Sequence, residues 1–158
     1  MVLRVSLDEL LATRSAVIVP SGISARFAGF KRYSLLDRGS YEFVDVPIDP
    51  RIAELVVRHT GRPRPCIASR VIRLVPGDFI LARHDPLPAG GLEVVVDVSP
   101  APAAAEVHYR QHGQVFFRMP CEPGTAAIVP RNPTVTCNHT YLSKLHTAEV
   151  VRWICRFA

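Results

Sequence analysis

This sequence predicts a mainly β fold with flanking helices that support it near the N-terminus, on three observations. From residue 67 onward the apolar residues recur with period two instead of helical spacing. Turn signals break that pattern at short intervals: Pro76-Gly77, Pro88-Ala89-Gly90-Gly91, Pro100-Ala101-Pro102, His112-Gly113, Pro123-Gly124 and Asn132-Pro133. Ahead of residue 67, two segments carry helix-start signals.

The first helix is expected after Ser6. Ser6-Leu7-Asp8-Glu9 reads as a capping box, and Leu7, Leu10 and Leu11 form one apolar face. Ala16-Val17-Ile18-Val19-Pro20 reads as a short strand, and Tyr41 to Val46 as another. Residues 21–47 are otherwise mixed and are expected to cover one end of the fold. The second helix has Asp49 as N-cap, Pro50 at its first position and Gly61 after its last residue. Ile52, Leu55, Val56 and His59 share one face. Pro63-Arg64-Pro65 cannot continue it.

The period-two region contains strands at about 68–75, 78–83, 92–98, 106–110, 114–119, 125–129, 134–141 and 149–157. Eight short antiparallel strands behind a helical flank suggest a jelly roll, also called a double-stranded β-helix. With 158 residues the chain fits one domain, with residues 1–66 as support and 67–158 as the barrel core.

Composition removes several functions. A hydrophobic content of 48% with 21% charged residues argues against disorder. No apolar run reaches the roughly 18 residues needed to span a bilayer, and Asp8 and Glu9 interrupt any signal-peptide core. A cytoplasmic location is therefore expected, with no membrane partner. The net charge of +5 comes from 17 arginines and two lysines spread along the chain. Without a dense basic tract or an aromatic platform, nucleic acid is not an expected partner, whereas a small anionic substrate is. Cys66, Cys121, Cys137 and Cys155 form no C-x-x-C pair and are expected to be buried thiols.

Two segments carry the chemistry. Gly77-Asp78-Phe79-Ile80-Leu81-Ala82-Arg83-His84-Asp85 ends one strand, and Cys137-Asn138-His139 ends another, His139 lying 54 residues after Asp85. Arg152 sits inside the apolar run Val150-Val151-Arg152-Trp153-Ile154. There it either turns inward and needs a partner or alternates outward with Ile154 and Arg156. Residues 68–157 resemble the core of the Fe(II)- and 2-oxoglutarate-dependent oxygenases of the small prolyl-hydroxylase-like type. The resemblance rests on these segments, on Leu92 to Val98, on Glu106-Val107-His108-Tyr109-Arg110 and on Pro123-Gly124-Thr125-Ala126.

The resemblance implies a jelly roll in which His84, Asp85 and His139 hold Fe(II), with His146 competing for the last place. It implies Arg152, with Lys144 as an alternative, as the cation that binds 2-oxoglutarate. The implied reaction is hydroxylation of a small molecule, an amino acid or a peptide. Two histidines and one carboxylate on one face of iron leave three positions open for co-substrate and oxygen.

One position departs from the pattern. The family's first histidine falls on Arg83, so the adjacent pair His84 and Asp85 would point to opposite faces of a regular strand. Either a bulge or the Asp85-Pro86 turn returns His84 to the site, or Arg83 has replaced a ligand. In the latter case the barrel is a degenerate jelly roll that binds a small anionic ligand or a protein partner without redox chemistry. A cupin shares the barrel, but its His-x-His cluster is missing. Arg83, Tyr109, Asn138 and Tyr141 are expected to line the substrate space. The oligomeric state is left open, a homodimer among the options.

Overall fold

The computed structural model describes residues 16–35, 37–83, 91–145 and 147–158. The expected helix after Ser6 and the residues His84, Asp85 and His146 lie outside these. The elements in chain order are β1 (Val17–Pro20), β2 (Lys31–Leu35), β3 (Gly39–Asp45), α1 (Pro50–Thr60), β4 (Cys66–Leu74) and β5 (Phe79–Arg83). They continue with β6 (Gly91–Asp97), β7 (Ala103–Gln111), β8 (Gln114–Cys121), β9 (Thr125–Arg131), β10 (Val135–His139) and β11 (Val150–Phe157).

All strand pairs are antiparallel, in the order β1-β9-β6-β11-β4-β3-β5-β10-β7-β8, with β2 added to β3. The run β9-β6-β11-β4 faces the run β5-β10-β7-β8. Val95, Ala127 and Val129 from the first run pack with Val107, Tyr109, Met119 and Val135 from the second. This is the jelly roll expected from sequence. β3 spans the seam between the two runs, pairing Glu42–Asp45 with β4 and Gly39–Ser40 with β5.

Helical support is thinner than expected, because α1 is the one helix among the described residues. Its caps follow the sequence signals. Asp49 Oδ1 accepts from the Arg51 amide at 2.8 Å, and Gly61 takes a left-handed φ of 80°. Ile52, Leu55 and Val56 are buried, but His59 is exposed and does not belong to the inner face. Burying each of the three apolar side chains contributes about 1.5–3 kcal/mol. They pack on the outer face of β4, β6, β9 and β11 through Val71, Val94, Ile128 and Trp153. Phe27 meets the Trp153 ring edge-on at 5.0 Å, and Trp153 Nε1 donates to Ser69 Oγ at 2.9 Å.

Three other expectations need correction. β2 was not legible, since Lys31-Arg32-Tyr33-Ser34-Leu35 is mostly exposed and shows no apolar alternation. β7 begins at Ala103, inside a stretch that reads as a low-complexity loop, because Ala105 is small enough to enter the barrel. The thiols also differ: Cys121 and Cys155 are buried, whereas Cys66 and Cys137 keep partial exposure.

Gly39 starts β3 where that strand touches β5. A Cβ there would meet the Phe79 carbonyl oxygen at 2.6 Å, closer than real contacts allow. Backbone cannot yield as a flexible side chain can, so Gly39→Ala is expected to lower stability by about 1–3 kcal/mol. Urea unfolding of the two proteins checks this; equal midpoints would mean that the β3–β5 seam is not tightly packed.

Candidate functional site

Strand parity decides what enters the barrel. In β6 the even residues Leu92, Val94, Val96 and Val98 join the outer core under α1. Glu93, Val95 and Asp97 therefore point inward. In β11, Trp153, Cys155 and Phe157 go to the outer core, which turns Arg152, Ile154 and Arg156 inward. Register then stacks these side chains in layers about 6.6 Å apart. One layer aligns Ala68, Arg156, Glu93 and Val129; the next aligns Arg70, Ile154, Val95 and Ala127. The deepest aligns Ile72, Arg152 and Asp97.

Glu93 is the centre of the upper layer, 2% exposed. Its Oε1 accepts from Arg131 Nη1 at 2.9 Å and from Arg156 Nε at 3.3 Å, while the Tyr109 hydroxyl donates to Oε2. Burial pushes the Glu93 carboxyl up, but the charges of Arg131 and Arg156 and the tyrosine hydrogen bond outweigh it, holding it below the usual glutamate range. Tyr109 moves the opposite way, raised well above its ordinary value by burial and by the Glu93 charge, so it stays a donor. Burial and the same charge push the Cys137 thiol up to about 12, which leaves it a poor nucleophile at neutral pH.

Arg152 is fully buried and faces the barrel interior, which settles the choice left open by its sequence. Its Nη1 donates to His139 Nδ1 at 3.0 Å and its Nη2 donates to the Ala105 carbonyl at 2.8 Å. The structure thus brings together His139 and Arg152. Asp97 lies beside Arg152 in the ladder; its Oδ1 accepts from the Ser99 amide at 2.9 Å.

This contact bears on iron. A guanidinium has donors only, so His139 Nδ1 must be the acceptor and the ring proton is assigned to Nε2. A metal-binding histidine needs the reverse arrangement, giving one nitrogen's lone pair to the metal and the other's N–H to an acceptor. In this state neither ring nitrogen of His139 offers a lone pair to a metal. Register adds a second mismatch. His139 stands opposite Ile80, near the start of β5, while Cys137 stands opposite Arg83 at its end. Among the described residues no three His, Cys, Asp or Glu side chains converge as a metal site. The described residues therefore do not fit Fe(II). Two Arg152 nitrogens are taken by His139 and the Ala105 carbonyl while its buried Nε has no partner, so the two-pronged edge that a carboxylate needs is only partly open.

A cavity of about 530 Å³ opens at the upper end of the barrel. Among the described residues its lining carries Arg70, Arg131 and Arg156 together with Asp45 and Glu93, one guanidinium more than the carboxylates. Ile72, Ile80, Ile154, Tyr41, Cys137 and His139 line the rest, with Ala68 and Ser69 from β4. Exposure rises along β3 from Tyr41 to Asp45, so the opening lies on that side. There Arg70 pairs with Asp45 through bonds of 2.7 and 3.1 Å, with its guanidinium 4.4 Å from the Phe43 ring centre.

The other expected residues are scattered. Tyr109 is buried beneath the cavity as the partner of Glu93. Asn138 faces outward and accepts from Arg110 Nε at 3.1 Å. Tyr141 and Lys144 are exposed, the latter with its chain lying over Gly77, and neither lines the cavity. The Arg83 backbone pairs with Cys137. Glu93, Arg131, Arg156 and Arg70 were not anticipated. The signal was present for Glu93, an acid at inward parity in an otherwise apolar strand.

No protein-family model and no curated protein matches the sequence. Solved structures do. An oxidoreductase of the 2OG-Fe(II) oxygenase family from Burkholderia pseudomallei aligns over 96% of this chain and 88% of its own, with a TM-score of 0.69 and 13% identity. The non-heme alpha-ketoglutarate-dependent carbocyclase SnoK from nogalamycin biosynthesis aligns over 95% of this chain and 81% of its own, with a TM-score of 0.67 and 12% identity. A Pseudomonas putida prolyl-4-hydroxylase aligns over 81% and 76%, with a TM-score of 0.60 and 7% identity. At these identities the likeness shows the fold alone: a jelly roll. No helix among the described residues is long and apolar enough to cross a membrane.

Removing one partner of a buried ion cluster leaves uncompensated charge, so Glu93→Gln is expected to cost about 3–5 kcal/mol in urea unfolding at pH 7. The wild-type protein should also lose stability in acid. A carboxyl held low in the folded state contributes fully above its ordinary value of 4.5 and loses that contribution as pH falls through the folded value. Glu93→Gln should flatten this acid limb; an unchanged limb would assign acid sensitivity to other carboxylates.

Proposed function

We propose that this protein is a binding jelly roll of the oxygenase type that takes a small anionic ligand in its barrel without redox chemistry. The observation that carries the reading is the lining of the cavity, where three arginines outnumber two carboxylates. Arg131 and Arg156 are occupied by Glu93, and Arg131 is sealed inside. Arg70 is the arginine nearest solvent, its side chain 42% exposed. Its pair with Asp45, whose side chain is 65% exposed, is a surface ion pair. Such pairs stabilise by only about 0–1 kcal/mol, so a ligand carboxylate can replace Asp45 at little cost.

A second reading retains His84, Asp85 and His139 as iron ligands and Arg152 as the anchor for 2-oxoglutarate, in an enzyme hydroxylating a small molecule, amino acid or peptide. The inward Arg152 on the last strand of an oxygenase-like barrel supports it. It requires Arg152 to release His139, so that the ring can move its proton and present a lone pair.

Two measurements separate the readings. Under the first, small carboxylates bind without metal, and Arg70→Gln weakens them about tenfold or more by removing a charge-assisted hydrogen bond. Isothermal titration in metal-free buffer checks this. Under the second, Fe(II) and 2-oxoglutarate added without oxygen give a visible charge-transfer absorption that His139→Ala abolishes. Appearance of that band would overturn the first reading; metal-free binding that Arg70→Gln leaves intact would remove Arg70 from it.

A further inference from the structure

We infer that the ligand is a monocarboxylate with an apolar body, its carboxylate held at the mouth by Arg70 and its body lying on Ile72, Ile80 and Ile154. This rests on the anion-binding reading and narrows it. The arginines of the cavity differ in exposure. The Arg70 and Arg156 side chains are 42% and 28% exposed, whereas Arg131 is 1% exposed. A ligand entering from solvent therefore meets its cation at the rim.

Beyond the rim the lining changes character. Ile154 is the register partner of Arg70, and Ile72 lies one layer deeper on β4. Ile80 comes from the opposite strand run, beside His139. Ile72 is 3% and Ile80 8% exposed, so this floor is dry and apolar. The polar groups at that depth are largely committed, with the buried Arg152 Nε left unpartnered. Arg152 already bonds His139, and Glu93 already bonds Arg131 and Arg156.

A second carboxylate reaching inward would lose its hydration against three isoleucines and approach the Glu93 charge. Burying an unpaired charge is expensive. Among the described residues the lining has a single guanidinium in excess, which matches one negative charge. The two facts select against dicarboxylates and phosphate, and for an acid whose remaining atoms are carbon. A cavity of about 530 Å³ has room for a branched or aromatic body.

The experiment is isothermal titration of the whole protein, metal-free and at matched ionic strength. The probes are acetate, 3-methylbutanoate, phenylacetate, succinate, 2-oxoglutarate and inorganic phosphate. Affinity is expected to rise from acetate to the longer acids by about fourfold per buried methylene. Succinate, 2-oxoglutarate and phosphate should bind no tighter than acetate. Ile154→Thr should shrink the preference for phenylacetate over acetate, with circular dichroism confirming that the variant is folded. Ile80→Thr supplies the same test from the opposite wall if Ile154→Thr is not folded. A dicarboxylate or phosphate binding tighter than every apolar acid would overturn the inference while leaving the anion site standing. Absence of binding by all six probes would overturn both. A phenylacetate preference unchanged in a folded isoleucine variant would overturn the placement of the body.

Discussion

The barrel depends on one buried carboxylate. Glu93 faces the barrel interior beside the aliphatic Val95, and its burial is tolerable only because Arg131, Arg156 and Tyr109 all reach it. Those partners come from β9, β11 and β7, so one side chain ties both strand runs together. The guanidinium of Arg131 also lies 5.8 Å from the Tyr109 ring centre and donates to the Val135 carbonyl at 3.2 Å. Such a cluster contributes less net stability than an apolar core of equal volume, but it is unforgiving when one member is lost. It also determines the upper end of the barrel, where it blocks water from the aliphatic core and leaves a cavity beside itself.

Much of this was legible in the sequence. The change to period two near residue 67, the Pro-Gly turns and the caps at Asp49, Pro50 and Gly61 all reflect local physics, and they led to a jelly roll with α1 outside it. The site was less legible because it depends on which face each strand presents. Arg152 could have faced solvent, as its alternation with Ile154 and Arg156 allowed. It is Trp153, Cys155 and Phe157 that pack under α1, and this turns the arginines inward. Cross-strand register was also hidden. Nothing in Cys137-Asn138-His139 says that the cysteine and not the histidine stands opposite Arg83, because that depends on an irregularity between β10 and β5. β2 was missed for a simpler reason: an exposed ribbon buries too little to leave a pattern.

The His139–Arg152 contact joins the fold to its chemistry. In a metal-binding barrel a histidine is held by an acceptor that supports its ligand nitrogen. Here the neighbour is a donor, and the ring is turned to serve it. Arg152 in turn needs acceptors in a fully buried position, and His139 with the Ala105 carbonyl supplies two. Each member thus meets part of the other's need, and the buried Arg152 Nε is left without a partner. The same inward positions that suit a metal and its co-substrate in this architecture can be closed by two side chains bonding each other.

That closure changes what the upper cavity can do. With the deep arginine occupied by histidine and Arg131 by Glu93, the interior contributes hydrogen-bonded polar groups but little unspent charge. Among the described arginines of the lining Arg70 is the most exposed, and its partner Asp45 is 65% exposed at the side chain. Register sets the order of the lining. Arg70 and Ile154 share a layer, Ile72 lies beneath them, and no rearrangement of side chains within those strands would exchange the two.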